Sequence, residues 1–140
     1  MMIKSIPQPI RILMVEDDPA DVRLTREALI NKKVPLIMHD VPDGIEAMAF
    51  LRKEGAYTDM VRPDLILLDL NMPRMDGPEL IENVRERYTK KQMAILGLFS
   101  SQDHVASTEL ISAGADDFLA VPFYDEEFYF RITRLIEFVE

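Results

Sequence analysis

Between Pro63-Asp64 and Asp69 the chain reads Leu65-Ile66-Leu67-Leu68, four large aliphatic residues in succession. A strand with one face in water alternates apolar and polar residues, so a run without alternation needs cover on both faces. This run therefore reads as a central strand of a parallel sheet. Such a sheet requires helices on both sides, which the rest of the chain has to supply.

It does so in regular alternation. Ile10-Arg11-Ile12-Leu13-Met14-Val15 is a second apolar run, and it stops at Glu16-Asp17-Asp18. Asp18-Pro19 then offers an N-cap and a first-turn proline to a helix whose apolar face carries Leu24, Ala28 and Leu29. Leu36–Val41 is a more polar strand, expected nearer a sheet edge, and Pro42-Asp43-Gly44 breaks it. A helix with Ala47, Phe50 and Leu51 follows, then a long connection to Arg62. Beyond the central run, Pro78 opens a helix with Leu80, Ile81 and Val84, and Ala94–Phe99 forms a fourth strand. Ala106, Leu110 and Ala113 mark a helix closed by Gly114, and Asp117–Val121 is a fifth strand. Phe128, Ile132, Leu135, Ile136 and Val139 line the last helix. Five strand-then-helix repeats predict an α/β fold, a doubly wound five-stranded parallel sheet of flavodoxin-like type. Residues 1–9 are expected to be a flexible tail and 10–140 one domain.

Composition narrows the function. The 140 residues hold 25 acidic against 16 basic side chains, a net charge of -9 that would repel nucleic acid and anionic lipid. The absence of cysteine excludes disulfides and thiolate metal sites. No apolar run reaches the roughly 20 residues a bilayer demands, so the chain is expected to be cytoplasmic. His39 and His104 lack metal-ligand spacing and receive no role.

The chemistry concentrates at two strand ends. In doubly wound sheets, ligands sit at the carboxyl ends of the strands, near the point where strand order reverses. The first strand ends in Glu16 and Asp17 and the third in Asp69. Neighbouring carboxylates raise one another's pKa unless a cation joins them, so the cluster predicts either Mg²⁺ or protonation. A carboxylate can also accept a phosphoryl group whose charge a divalent cation neutralises. Asp69, alone at the end of the most apolar strand, is the nucleophile candidate. Glu16 and Asp17 look like the cradle of the ion. Asp18 reads simply as a helix cap.

Val15-Glu16-Asp17-Asp18-Pro19, followed by Leu65-Ile66-Leu67-Leu68-Asp69-Leu70-Asn71-Met72-Pro73-Arg74-Met75-Asp76-Gly77, closely resembles the receiver domain of bacterial response regulators. The resemblance runs from about residue 10 to the C-terminus. The stretch from Ala20 to Thr25 and the long connection from Leu51 to Arg62 look like the stand-alone receivers associated with bacterial phytochrome kinases. It implies a phosphoacceptor of a two-component His–Asp phosphorelay rather than a turnover enzyme. Asp69 would take a phosphoryl group from a sensor histidine kinase, with Mg²⁺ held by Glu16, Asp17, Asp69 and the backbone carbonyl of Asn71.

Two positions depart from the family pattern. Counting back from Gly114 without a gap puts Phe99 where the family has a Ser or Thr hydroxyl, and Ser100 replaces it only if the loop shifts. Val121 stands before Pro122 where the family has a Lys. With Phe118, these are the switch positions. Losing one preorganised charge donor costs about 3 kcal/mol, roughly a hundredfold in rate. The alternative is therefore a degenerate receiver, a phosphorylation-independent interaction module. Phe123, Tyr124, Phe128, Tyr129, Phe130 and Phe138 exceed what one helix face buries. Either some are exposed, giving helix four, strand five and helix five a surface for a homodimer or a target protein, or they fold back over the start of the last helix.

Overall fold

The computed structural model describes residues 9–70, 72, 76–100 and 107–140, with the side chain of Ser107 excepted. The strands are β1 (Ile10–Val15), β2 (Leu36–Val41), β3 (Leu65–Asp69), β4 (Ala94–Ser100) and β5 (Asp117–Val121). The helices are α1 (Pro19–Ile30), α2 (Gly44–Arg52), α3 (Gly77–Arg87), α4 (Ser107–Ala113) and α5 (Asp125–Glu137), with a short 3-10 turn at Gly55–Tyr57. All strand pairs are parallel, in the order β2-β1-β3-β4-β5. The doubly wound, flavodoxin-like sheet expected from the alternation is the one observed, with the polar strand β2 at an edge.

Side-chain parity divides the core into two layers. Ile10, Ile12, Met14, Leu65, Leu67, Leu96, Leu98 and Leu119 pack under α1 and α5, against Leu29, Phe128, Ile132 and Ile136. Leu13, Val15, Ile66, Leu68 and Ile95 pack under α2, α3 and α4, against Phe50, Leu80, Ile81, Val84 and Leu110. β3 contributes to both layers, and every residue of it is buried. This is the double cover that its unbroken aliphatic run demands.

Capping follows the sequence closely. Asp18, Asp43 and Asp76 each accept a hydrogen bond from the first turn of the helix they precede: Asp18 from the Ala20 N–H at 2.9 Å, Asp43 from Glu46 at 2.8 Å and Asp76 from Glu79 at 3.0 Å. Asp64, just before β3, accepts from the Arg11 N–H of the neighbouring strand at 2.9 Å. The Val121-Pro122 peptide is cis.

Two boundaries differ from expectation. β4 extends one residue further, to Ser100, because its ladder with β5 continues through the pair Ser100 and Val121. α5 ends at Glu137, and Val139 is buried just beyond it. α4 is described over Ser107–Ala113, and the expected Ala106 lies outside the described residues. His104, Asn71 and most of the expected tail also lie outside them.

Gly114 closes α4 with φ +124°, and a Cβ there would meet Arg85 Cγ at 2.6 Å. Gly114→Ala combines backbone strain with a clash. It should lose about 1–3 kcal/mol of stability, read as a lower urea midpoint.

Candidate functional site

β1 and β3 are adjacent, with Val15 in register with Leu68. The residues that follow this pair therefore meet at the same sheet end. Glu16 and Asp69 are buried and Asp17 is exposed. One oxygen from each of the three carboxyl groups lies within 4.8 Å of those of the other two. The sequence-predicted acids converge as strand order requires, and Asn71 is the one proposed ligand that lies outside the described residues.

Glu16 is held in place by the start of α1. Its Oε1 accepts hydrogen bonds from the Asp17 N–H at 2.9 Å and the Asp18 N–H at 3.0 Å. Burial, and then a hydrogen bond with Asp69, push its pKa up from 4.5 to about 8, against the lowering effect of the backbone amide. At neutral pH Glu16 thus holds a proton that relieves its repulsion with Asp69. Asp21 is raised in the same direction, first by burial and then by Asp18, Asp69 and Asp17. Sequence reasoning passed over Asp21. Its signal is its place in the first turn of α1, one helical turn after Asp17.

The donor set is all oxygen and anionic, two of its members are desolvated, and in the absence of an ion a proton fills the charge deficit. Those properties fit a hard divalent cation such as Mg²⁺. A wide cleft of about 880 Å³ opens beside the site between α2 and α3, bordered by Asp17, Asp43, Met48, Met72, Asp76 and Leu80.

The switch positions separate by parity. Val121 packs with the layer under α1 and α5, the layer that holds Leu98 and Leu119. Ser100 is its register partner. Phe99 pairs with Ala120 on the opposite face, where its ring meets Phe118 edge-on at 5.7 Å between centroids. Farther out, Phe123 stacks on buried Phe128 with centroids 4.3 Å apart, so part of the aromatic set does fold over the start of α5. Tyr124, Tyr129, Phe130 and Phe138 are exposed.

A family model described as the response regulator receiver domain matches residues 12–133. The chain belongs to the receiver-domain family. Among relatives of this receiver is response regulator Rcp1 of Synechocystis sp., 40% identical over 102 residues that make up 71% of this chain and 69% of Rcp1. Transcriptional regulatory protein TrcR of Mycobacterium tuberculosis is 34% identical over 131 residues, 91% of this chain but 46% of TrcR. The phosphorylated cyanobacterial phytochrome response regulator RcpA matches the receiver with a TM-score of 0.75 at 35% identity, over 94% of each chain. The Mn²⁺-bound form of Rcp1 matches with a TM-score of 0.72 at 29% identity, over 92% of this chain and 90% of that one. The resemblance to phytochrome-associated receivers read from the sequence agrees with the match to RcpA. Among the described residues, no helix of the receiver is long and apolar enough to cross a membrane.

Proposed function

We propose that this receiver is the phosphoacceptor of a two-component His–Asp relay, taking a phosphoryl group onto Asp69 from a phosphohistidine of a sensor kinase. The observation that carries the reading is the convergence of Glu16, Asp17 and Asp69 oxygens at the carboxyl ends of β1 and β3. A phosphorylated receiver and a Mn²⁺-bound one among the similar structures support it. Mg²⁺ would be held by Glu16, Asp17, Asp69 and the Asn71 carbonyl, and when bound it supplies positive charge against the phosphoryl oxygens. An ionised Asp69 Oδ attacks phosphorus, the bond from phosphorus to the donor breaks, and the donor keeps that electron pair. No proton need leave Asp69. Burial of Asp69 keeps competing water away from the reacting atoms. The receiver would act in the cytoplasm as a signalling module and not as a turnover enzyme. Its output would pass through protein contacts on the face of α4, β5 and α5, to a target protein or a second copy.

A second reading is favoured by Val121, which seats an apolar side chain among the α1 and α5 contacts where the family has an ammonium. In that reading the receiver keeps its fold and metal pocket but signals without phosphate. Intact mass after incubation with acetyl phosphate and Mg²⁺ separates the two. Wild type should gain one phosphoryl mass, and Asp69→Asn should gain none. An unchanged wild-type mass, with a gain appearing only in Val121→Lys, would replace the first reading with the second.

A further inference from the structure

We propose that the cleft between α2 and α3 is a docking groove for an amphipathic helix of a partner protein, one that carries lysine or arginine at the end lying beside Asp17, Asp43, Asp76 and Glu79. The cleft holds about 880 Å³ and is walled by one stripe of each helix. Ile45, Met48 and Arg52 stand at i, i+3 and i+7 along α2, and Asp76, Leu80 and Asn83 at i, i+4 and i+7 along α3 from its cap. Both helices start at the carboxyl end of the sheet, just after β2 and β3, and run the same way. A groove between two such helices accepts a third by ridge-into-groove packing. Its length from Ile45 to Arg52 is about two helical turns, roughly 10 Å.

Charge sets the direction of the occupant. Among the described residues that line the cleft, four carboxylates stand against the single guanidinium of Arg52. The acids gather at the helix starts, and Arg52 closes α2 at the other end. Asp43 and Asp76 each use one oxygen to cap a helix, which leaves the carboxylate charge in place. The two helix N-termini offset about half a unit of charge each, so the mouth stays negative. Between the ends the floor is apolar. Met48, Met72 and Leu80 are buried there, and Ile45 rises from the rim with 81% of its surface exposed. The thioether side chains can adapt their shape to an incoming one.

The complementary ligand is therefore a helix with basic residues in one terminal turn and large aliphatic residues four apart beyond it. A second copy of this chain is a poor occupant, because each copy carries a net charge of -9 and its helices are acidic in their first turns. The groove lies apart from the face of α4, β5 and α5, and the proposal does not depend on phosphoryl transfer.

The test uses the full chain in Mg²⁺ buffer and a fluorescein-labelled helical peptide with lysines in its first turn and leucines four apart, read by anisotropy. A second peptide has glutamates in place of the lysines and should bind at least about tenfold more weakly. Glu79→Lys should weaken the lysine peptide by roughly threefold to thirtyfold, as expected for reversing one exposed charge, and the effect should shrink as salt rises from about 0.01 M to about 0.15 M. Ile45→Ser should weaken it by about tenfold at either salt. Glu137→Lys on α5 makes the same change in net charge on the opposite side of the sheet, and should leave the affinity within about twofold. All three sites are exposed, so none of these changes disturbs the core. Amide shifts during titration of the lysine peptide should map to α2 and α3. Equal weakening by Glu79→Lys and Glu137→Lys, shifts confined to α4 and α5, or no saturable binding of the lysine peptide overturns the proposal.

Discussion

Arg85→Met is expected to destabilise the receiver by about 3 kcal/mol, measured as a fall in urea unfolding free energy at constant m-value. Arg85 lies on α3 with 13% of its side chain exposed, and its Nη2 donates to Asp116 Oδ2 at 2.7 Å. Its Nε donates to the Gly114 carbonyl at 2.8 Å and its Nη1 to the Met93 carbonyl at 2.7 Å. One guanidinium therefore joins α3 to the segment before β4 and the turn before β5. Burial lowers its pKa and the Asp116 charge raises it, and the guanidinium keeps its proton. A methionine fills much of the volume but strands the Asp116 carboxylate and the carbonyls of Gly114, Met93 and Tyr88. Asp116 also accepts from the Ile95 N–H at 2.8 Å, so it cannot turn away without breaking the start of β4. In the double variant Arg85→Met with Asp116→Asn, the amide oxygen still accepts from Ile95 and no charge is left unpaired. The double variant should recover a measurable part of the loss. A loss under 1 kcal/mol in Arg85→Met would show that water replaces the guanidinium without penalty.

None of that network was visible in the sequence, whereas the acidic site was. Periodicity reports which face a residue occupies, so Leu65 to Leu68 identified a doubly covered strand and Phe128, Ile132 and Ile136 identified the inner side of α5. Once two acid-ended strands are placed next to each other, parity alone brings Glu16 and Asp69 together. A contact between residues 31 positions apart, such as Arg85 with Asp116, leaves no periodic trace. The end of β4 was hidden for a different reason. Phe99-Ser100-Ser101 contains no glycine or proline to break the strand, and only the partner strand decides where its ladder stops. Exposure of Tyr124 and Phe130 was foreseeable as an excess over what one helix stripe can bury, and the stacking of Phe123 on Phe128 shows that the stripe widened to take one more ring.

Mg²⁺ should flatten the pH dependence of stability that Glu16 gives this receiver. Without an ion, folded Glu16 keeps its proton to about pH 8, while the unfolded chain releases it near 4.5. Between those values the folded state holds a proton that the unfolded state lacks, so stability falls as pH rises. The contribution is fully present below the lower value and lost above the upper one. A divalent ion needs the ionised carboxylates and competes with that proton, so Mg²⁺ affinity should climb from pH 6 to pH 8, approaching one proton released per ion bound. At ten times its dissociation constant the ion adds roughly 1.4 kcal/mol, a rise of a few degrees in Tm, and this gain should be larger at pH 8 than at pH 6. Glu16→Gln separates the proton from the ion. Its amide oxygen can still accept from the Asp17 and Asp18 N–H groups, and its NH₂ can donate to Asp69 much as the protonated acid does. Expected behaviour is a Tm in metal-free buffer that no longer declines over this range and exceeds wild type at pH 8.5, with Mg²⁺ affinity reduced about tenfold or more. Thermal melts with and without Mg²⁺ across the range, paired with calorimetry in two buffers of different ionisation enthalpy, measure the slope and the proton count. A metal-free Tm that rises from pH 6 to pH 8, in wild type and Glu16→Gln alike, would mean that Glu16 is ionised in the folded state.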